Sequence, residues 1–141
     1  MTDSRVLDNP PFMKHPNSAL LEKLYQDFSK GDLNAVLAVC ADKITFQVPG
    51  KGQLAGKYDK ATFASGFAGK LMELSGGSFQ AEVHDILASD LHAAVLATCS
   101  RLENGKKIEY RTVHIWRFEG GKPVAWYEYP RDLYQYDSIW A

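Results

Sequence analysis

The 141-residue chain is 45% hydrophobic and 23% charged, with 16 Lys and Arg against 17 Asp and Glu. That composition fits one globular domain and leaves no surplus positive charge for nucleic acid or an anionic membrane. The two cysteines, Cys40 and Cys99, lack CxxC or CxxH metal spacing and read as buried free thiols.

Residues 1–16 carry Asn9-Pro10-Pro11 and His15-Pro16, and prolines deny this stretch a continuous helix, so it reads as an N-terminal arm ahead of one domain over 17–141. The start has neither the basic segment nor the apolar core of a signal peptide, and no apolar run reaches membrane-spanning length. A cytoplasmic location is therefore expected.

Asn17 or Ser18 is the expected N-cap of a first helix whose apolar face is Leu20, Leu21, Leu24, Tyr25 and Phe28, with Gly31 as its stop. Asp32 caps a short second helix carrying Leu33, Val36, Leu37 and Cys40 at spacings of three and four. Ile44 to Val48 alternates as a strand, and Pro49-Gly50-Lys51-Gly52 breaks it into a loop running to about Tyr58. Asp59 caps a third helix with Phe63, Phe67, Leu71 and Leu74 on one face, ended by Gly76-Gly77.

From Ser78 the period becomes two, through 78–88, 91–102, 106–118 and 122–129, which predicts a four-strand antiparallel meander. Ser89-Asp90, Asn104-Gly105 and Gly120-Gly121 supply the turns. A two-residue loop at Asn104-Gly105 pairs Glu103 with Lys106 and so sets Val95 opposite His114. The same logic puts His84 opposite Val95, and a slightly longer last loop puts Glu128 opposite His114. One face then carries Gln80, Glu82, His84, Cys99, Tyr110, Thr112, His114, Trp116, Trp126 and Glu128, a mixture of apolar and ionisable groups that suits a cavity lining. A one-residue slip in the last strand would replace Trp126 and Glu128 with Ala125, Tyr127 and Tyr129. The opposite face, with Phe79, Val83, Leu96, Val113, Ile115, Tyr127 and Tyr129, is too apolar to stay wet and calls for a second chain. The aromatic tail 131–141 is expected to fold over the pocket mouth or a partner.

Three helices followed by a meander, with Pro49-Gly50, the Val-His-Ile-Trp-Arg-Phe segment from Val113, the Gly-Gly-Lys turn and the Trp-Tyr-Glu-Tyr-Pro segment from Trp126, resemble the SnoaL-like group of the nuclear transport factor 2-like superfamily. The resemblance implies an α+β fold in which three N-terminal helices pack on a strongly curved, mostly antiparallel sheet, forming a cone with an internal pocket. It also implies a homodimer through the sheet's outer face. The superfamily spans isomerases, cyclases, epoxide hydrolases and noncatalytic binders, so site residues have to choose the activity. Against the limonene epoxide hydrolase pattern, Trp126, Glu128, Thr45 and Gln47 match, but the expected Arg and Asp fall at Val95 and Ala97, which argues against epoxide hydrolysis. The acid that SnoaL-type cyclases use near the end of the last strand has two matches here, Glu128 and Asp132.

The residues offer two chemical readings. His114 and Glu128 form an imidazole–carboxylate pair whose ring faces substrate, or Glu128, desolvated by Trp126 and Trp116, is itself the base toward a carbon acid beside a carbonyl. Against both stands a buried pair that only fixes sheet register, with the tryptophans as ordinary core. Tyr25, Tyr110, Thr112, Gln47 and His84 complete the expected ligand wall. The histidines lack compact ligand spacing, so neither metal nor cofactor is expected. The function read from sequence is a protein that binds a small hydrophobic carbonyl-bearing ligand and performs cofactor-independent isomerisation, cyclisation or hydration, with a noncatalytic small-molecule-binding dimer as the alternative.

Overall fold

The computed structural model describes residues 14–141, so most of the expected arm, positions 1–13, lies outside the described residues. Helix α1 (Pro16–Ser29) begins on Pro16, whose missing N–H is no loss at the first helical position. The His15 ring caps it, Nδ1 accepting from the Asn17 N–H at 3.0 Å. Neither Asn17 nor Ser18 is the cap. Asn17 is buried, and its amide donates to the Ser89 carbonyl at 3.0 Å, tying the helix start to a strand turn. Leu21 and Leu24 are almost fully buried, each worth about 1.5–3 kcal/mol of burial. Helix α2 (Leu33–Ala38) is capped by Asp32, whose Oδ1 accepts from the Ala35 N–H.

Strand β1 (Thr45–Val48) pairs with β2 (Gly56–Asp59), which occupies the end of the stretch expected to be loop. The third helical segment opens as a π-helix (Phe63–Ala68) and continues as α3 (Gly69–Ser75), ending on left-handed Gly76. Phe63, Phe67 and Leu71 are buried along it. Strands β3 (Gln80–Ala88), β4 (His92–Glu103), β5 (Lys106–Glu119) and β6 (Lys122–Pro130) form the meander, and a short helix α4 (Leu133–Ile139) follows. The sheet order is β2-β1-β6-β5-β4-β3. All neighbours are antiparallel except β1 and β6, which run parallel with Phe46 opposite Trp126. The helices cover the concave face, and the core lies between. Among the described residues no helix is long and apolar enough to cross a membrane.

Two β-bulges set which side chains face inward. Asn104 and Gly105 both have positive φ, the two-residue turn holds, and Val95 does face His114. The Gly120-Gly121 turn is also two residues long, both at positive φ. A register shift between Arg117 and Phe118 leaves Val124 without an opposite number and brings Glu128 opposite His114, the pairing expected from a longer loop. On β3 the expectation fails. The turn is longer than the two residues Ser89-Asp90, Ala88 pairing with Ala93, so Ile86 and not His84 stands opposite Val95, and a register shift between Val83 and Asp85 leaves His84 unpaired. Ala81 and Val83 on one side of the bulge and Ile86 and Ala88 on the other pack on the core, while Gln80, Glu82 and His84 are exposed. Phe79 and Val83, assigned to the outer face by alternation, belong to the inner one.

Candidate functional site

Strands β5 and β6 deliver His114 and Glu128 to the concave face from directly opposed positions. Both are buried, at 7% and 5% exposure, so their polar atoms must be satisfied by protein groups. His114 Nε2 lies 3.3 Å from Glu128 Oε2, the same oxygen accepts from Thr112 Oγ1 at 3.0 Å, and Oε1 accepts from the Tyr136 hydroxyl at 2.8 Å. Three donors thus converge on one carboxylate.

The other imidazole nitrogen meets helix α1. Tyr25 Oη is 2.6 Å from His114 Nδ1 and accepts from Trp116 Nε1–H at 3.1 Å. A carboxylate only accepts and an indole N–H only donates. With a neutral ring, Nε2 therefore carries the proton and Nδ1 accepts the Tyr25 proton. The chain runs Trp116 to Tyr25 to His114 to Glu128. Burial pushes the Tyr25 phenol well above its ordinary range, so it stays a proton donor. Trp126 closes on the histidine edgewise, ring centres 4.8 Å apart.

These groups open on an internal cavity of about 60 Å³ with walls from Phe46, Phe63, Phe67, Trp116 and Trp126. Each enclosed water needs roughly 10–15 Å³, so it holds a few at most. Cys99 and Tyr110 also line it; burial pushes both well above their ordinary ranges, leaving a neutral thiol and phenol. Tyr110 Oη accepts from Trp140 Nε1–H at 3.3 Å.

Of the residues expected from sequence, Tyr25, Tyr110, His114, Trp116, Trp126 and Glu128 line this cavity, and Thr112 supports Glu128. Three fall elsewhere. Gln47 lies between inward-facing Phe46 and Val48 and so points to the sheet's outer side. His84 sits at the β3 bulge, exposed, with Nε2 2.7 Å from Thr98 Oγ1. Asp132 is exposed and caps α4, its Oδ1 accepting from the Tyr134 and Gln135 N–H groups. Tyr136 is the functional neighbour that strand alternation missed. Its signal was present: Asp132 as a cap, then Tyr136, Ile139 and Trp140 at spacings of three and four, all buried.

The family model described as a SnoaL-like domain matches residues 21–126. The fold is similar to Bal32a from a soil-derived mobile gene cassette, at 22% identity and TM-score 0.79, over 89% of this chain and 97% of that one. It is similar also to a protein of unknown function with a cystatin-like fold from Xanthomonas campestris, at 24% identity and TM-score 0.77, over 89% and 98%. A third is TerC co-crystallised with polyporic acid, at 17% identity and TM-score 0.76, over 90% and 100%. No curated protein matches the chain.

Proposed function

The chain belongs to the SnoaL-like family, and we propose that it binds a small hydrophobic carbonyl-bearing molecule and moves protons on it without a cofactor, as an isomerase, cyclase or hydratase. The observation that carries this reading is the buried chain Trp116–Tyr25–His114–Glu128, open to an apolar cavity. A ligand carbonyl arriving beside Tyr25 takes over the phenol's hydrogen bond. That frees the Nδ1 lone pair of His114, 2.6 Å from the phenol oxygen, to accept a proton from the carbon next to the carbonyl. The enolate oxygen is held by Tyr25, the imidazolium by Glu128, and the proton returns to carbon or passes to the leaving group. Glu128 in this scheme orients the ring and balances its charge, the role the sequence offered as one of two. Crystallisation of the similarly folded TerC with polyporic acid supports a small organic ligand here.

Proton exchange tests it directly. In D2O the wild-type protein should catalyse deuterium exchange at the α-carbon of 1-tetralone, read by NMR. Glu128→Gln should slow exchange about 100-fold, and His114→Asn should abolish it. Binding without exchange would sink the enzyme reading and favour a noncatalytic carrier, to which the full pairing of the polar side-chain atoms of Trp116, Tyr25, His114 and Glu128 also corresponds.

The proposal includes a homodimer. Leu96, Val113 and Tyr129 form one row across the outer face, and Ile115 and Tyr127 continue the next. Leu96 and Tyr129 are 37% and 57% exposed, a contiguous apolar surface that a second copy would cover. The proposal also keeps the protein in the cytoplasm, where the buried free thiols of Cys40 and Cys99 stay reduced.

A further inference from the structure

Two spaces meet at one wall. The inner cavity and an outer groove of about 420 Å³ between α1 and β3 share Tyr25 and Ala81 as lining residues. On the inner side the Tyr25 hydroxyl is held by Trp116 and His114. On the outer side its ring adjoins a groove lined by Ser18, Gln26, Ser29 and Val83. Ala81, paired with Cys99 on β4, contributes only a methyl group. The wall the two spaces share therefore includes the Tyr25 side chain and a single methyl group.

Volume decides how the spaces are used. An apolar cavity of roughly 150 Å³ houses a benzene, and organic ligands occupy pockets of about 300–1,000 Å³. The inner cavity, at about 60 Å³, falls below both figures, whereas the groove, at about 420 Å³, falls within the ligand range. Yet the proton-moving chain lies inside. A ligand that reaches it leaves most of its bulk in the groove.

Resting on the acid/base reading above, we propose that the α1–β3 groove is the outer half of the ligand site and that the substrate is bipartite. An apolar, carbonyl-bearing edge reaches Tyr25, and an uncharged, hydroxyl-bearing part occupies the groove. Charge excludes an anionic outer part. Among the described residues lining the groove the basic groups are Lys14, whose Nζ pairs with Glu22 at 3.2 Å, and His84, whose Nε2 lies 2.7 Å from Thr98 Oγ1, against the two carboxylates of Glu22 and Asp85. A phosphate there meets no net positive field. The hydroxyls of Ser18 and Ser29 and the amide of Gln26 offer neutral hydrogen bonding instead.

The test compares 6-hydroxy-1-tetralone with its 6-O-glucoside, which keeps the ketone and adds an uncharged polyol. Both are titrated into the full chain by NMR, following the Ala81 and Val83 methyls and the His114 ring. The glucoside should bind at least 10-fold more tightly and shift all three residues. Gln26→Trp, at an exposed position, should erase that advantage while leaving thermal unfolding unchanged. Equal affinity for the two compounds, insensitive to Gln26→Trp and with His114 still responding, would overturn the bipartite site and leave the acid/base reading standing. Failure of both compounds to move His114 would remove the cavity reading, and this inference with it.

Discussion

Burying Glu128 beside His114 is tolerable because three donors reach its two oxygens; an unsatisfied charge in that position would cost several kcal/mol. The tyrosines around it carry the complementary constraint. Burial pushes the phenols of Tyr25, Tyr110 and Tyr136 well above their ordinary range. In the unfolded chain they ionise near pH 10, whereas in the folded protein they stay neutral, so their contribution is intact below about pH 10 and lost as pH rises beyond it. Urea unfolding between pH 9 and 11.5 should show stability falling by up to about 1.4 kcal/mol per pH unit for each such phenol. Tyr136→Phe should flatten that fall. At this scale the sequence was informative where a residue lies on a long regular strand. Period-two alternation and the Asn104-Gly105 turn sufficed to bring His114, Trp116 and Tyr110 to one face. Tyr136 and the Tyr25 hydroxyl contact depend on how helices dock, and no strand pattern encodes that.

At the level of elements, the bulges explain both a success and a failure. In β3 the partly buried apolar residues change from odd to even positions between Val83 and Ile86, the mark an extra residue leaves in an otherwise alternating strand. Reading β3 as unbroken flipped Gln80, Glu82 and His84 to the wrong side. Strand β2 is not legible in the sequence because Gly52 and Gly56 resemble loop, yet four residues pair there with β1. The loop between these strands also seats α4. Gly50 has φ +91°, and a side chain on it would collide with the Asp137 carboxylate, which accepts the Lys51 N–H at 2.9 Å. A Cβ on Gly52 would stand 2.6 Å from the Trp140 carbonyl oxygen. Gly50→Ala should therefore loosen α4 and cost about 1–3 kcal/mol from the strained φ alone, measured by thermal unfolding. Loss of the Tyr136–Glu128 contact would appear alongside as a change in the His114 ring signals.

At the scale of the molecule, helices among the described residues seal one face of the sheet and leave the other open. If a second copy covers Leu96, Val113 and Tyr129, then Leu96→Lys should convert a dimer into a monomer by light scattering without unfolding the domain, since Leu96 is already partly exposed. A wild-type monomer at micromolar concentration would refute that arrangement. Apolar periodicity and turn spacing made the order of helices and strands legible, but cavity size was not, because it depends on rotamers of Phe46, Phe63 and Phe67 drawn from two separate elements. The parallel pairing of β1 with β6 has a kinetic corollary. Phe46 and Trp126 stand about 80 positions apart in the chain, and such distant closures form late and slowly. The cavity should thus be the last part of the domain to appear during refolding. On the ribosome, β1 waits with one edge unpaired until β6 emerges, a window in which this protein is most open to aggregation.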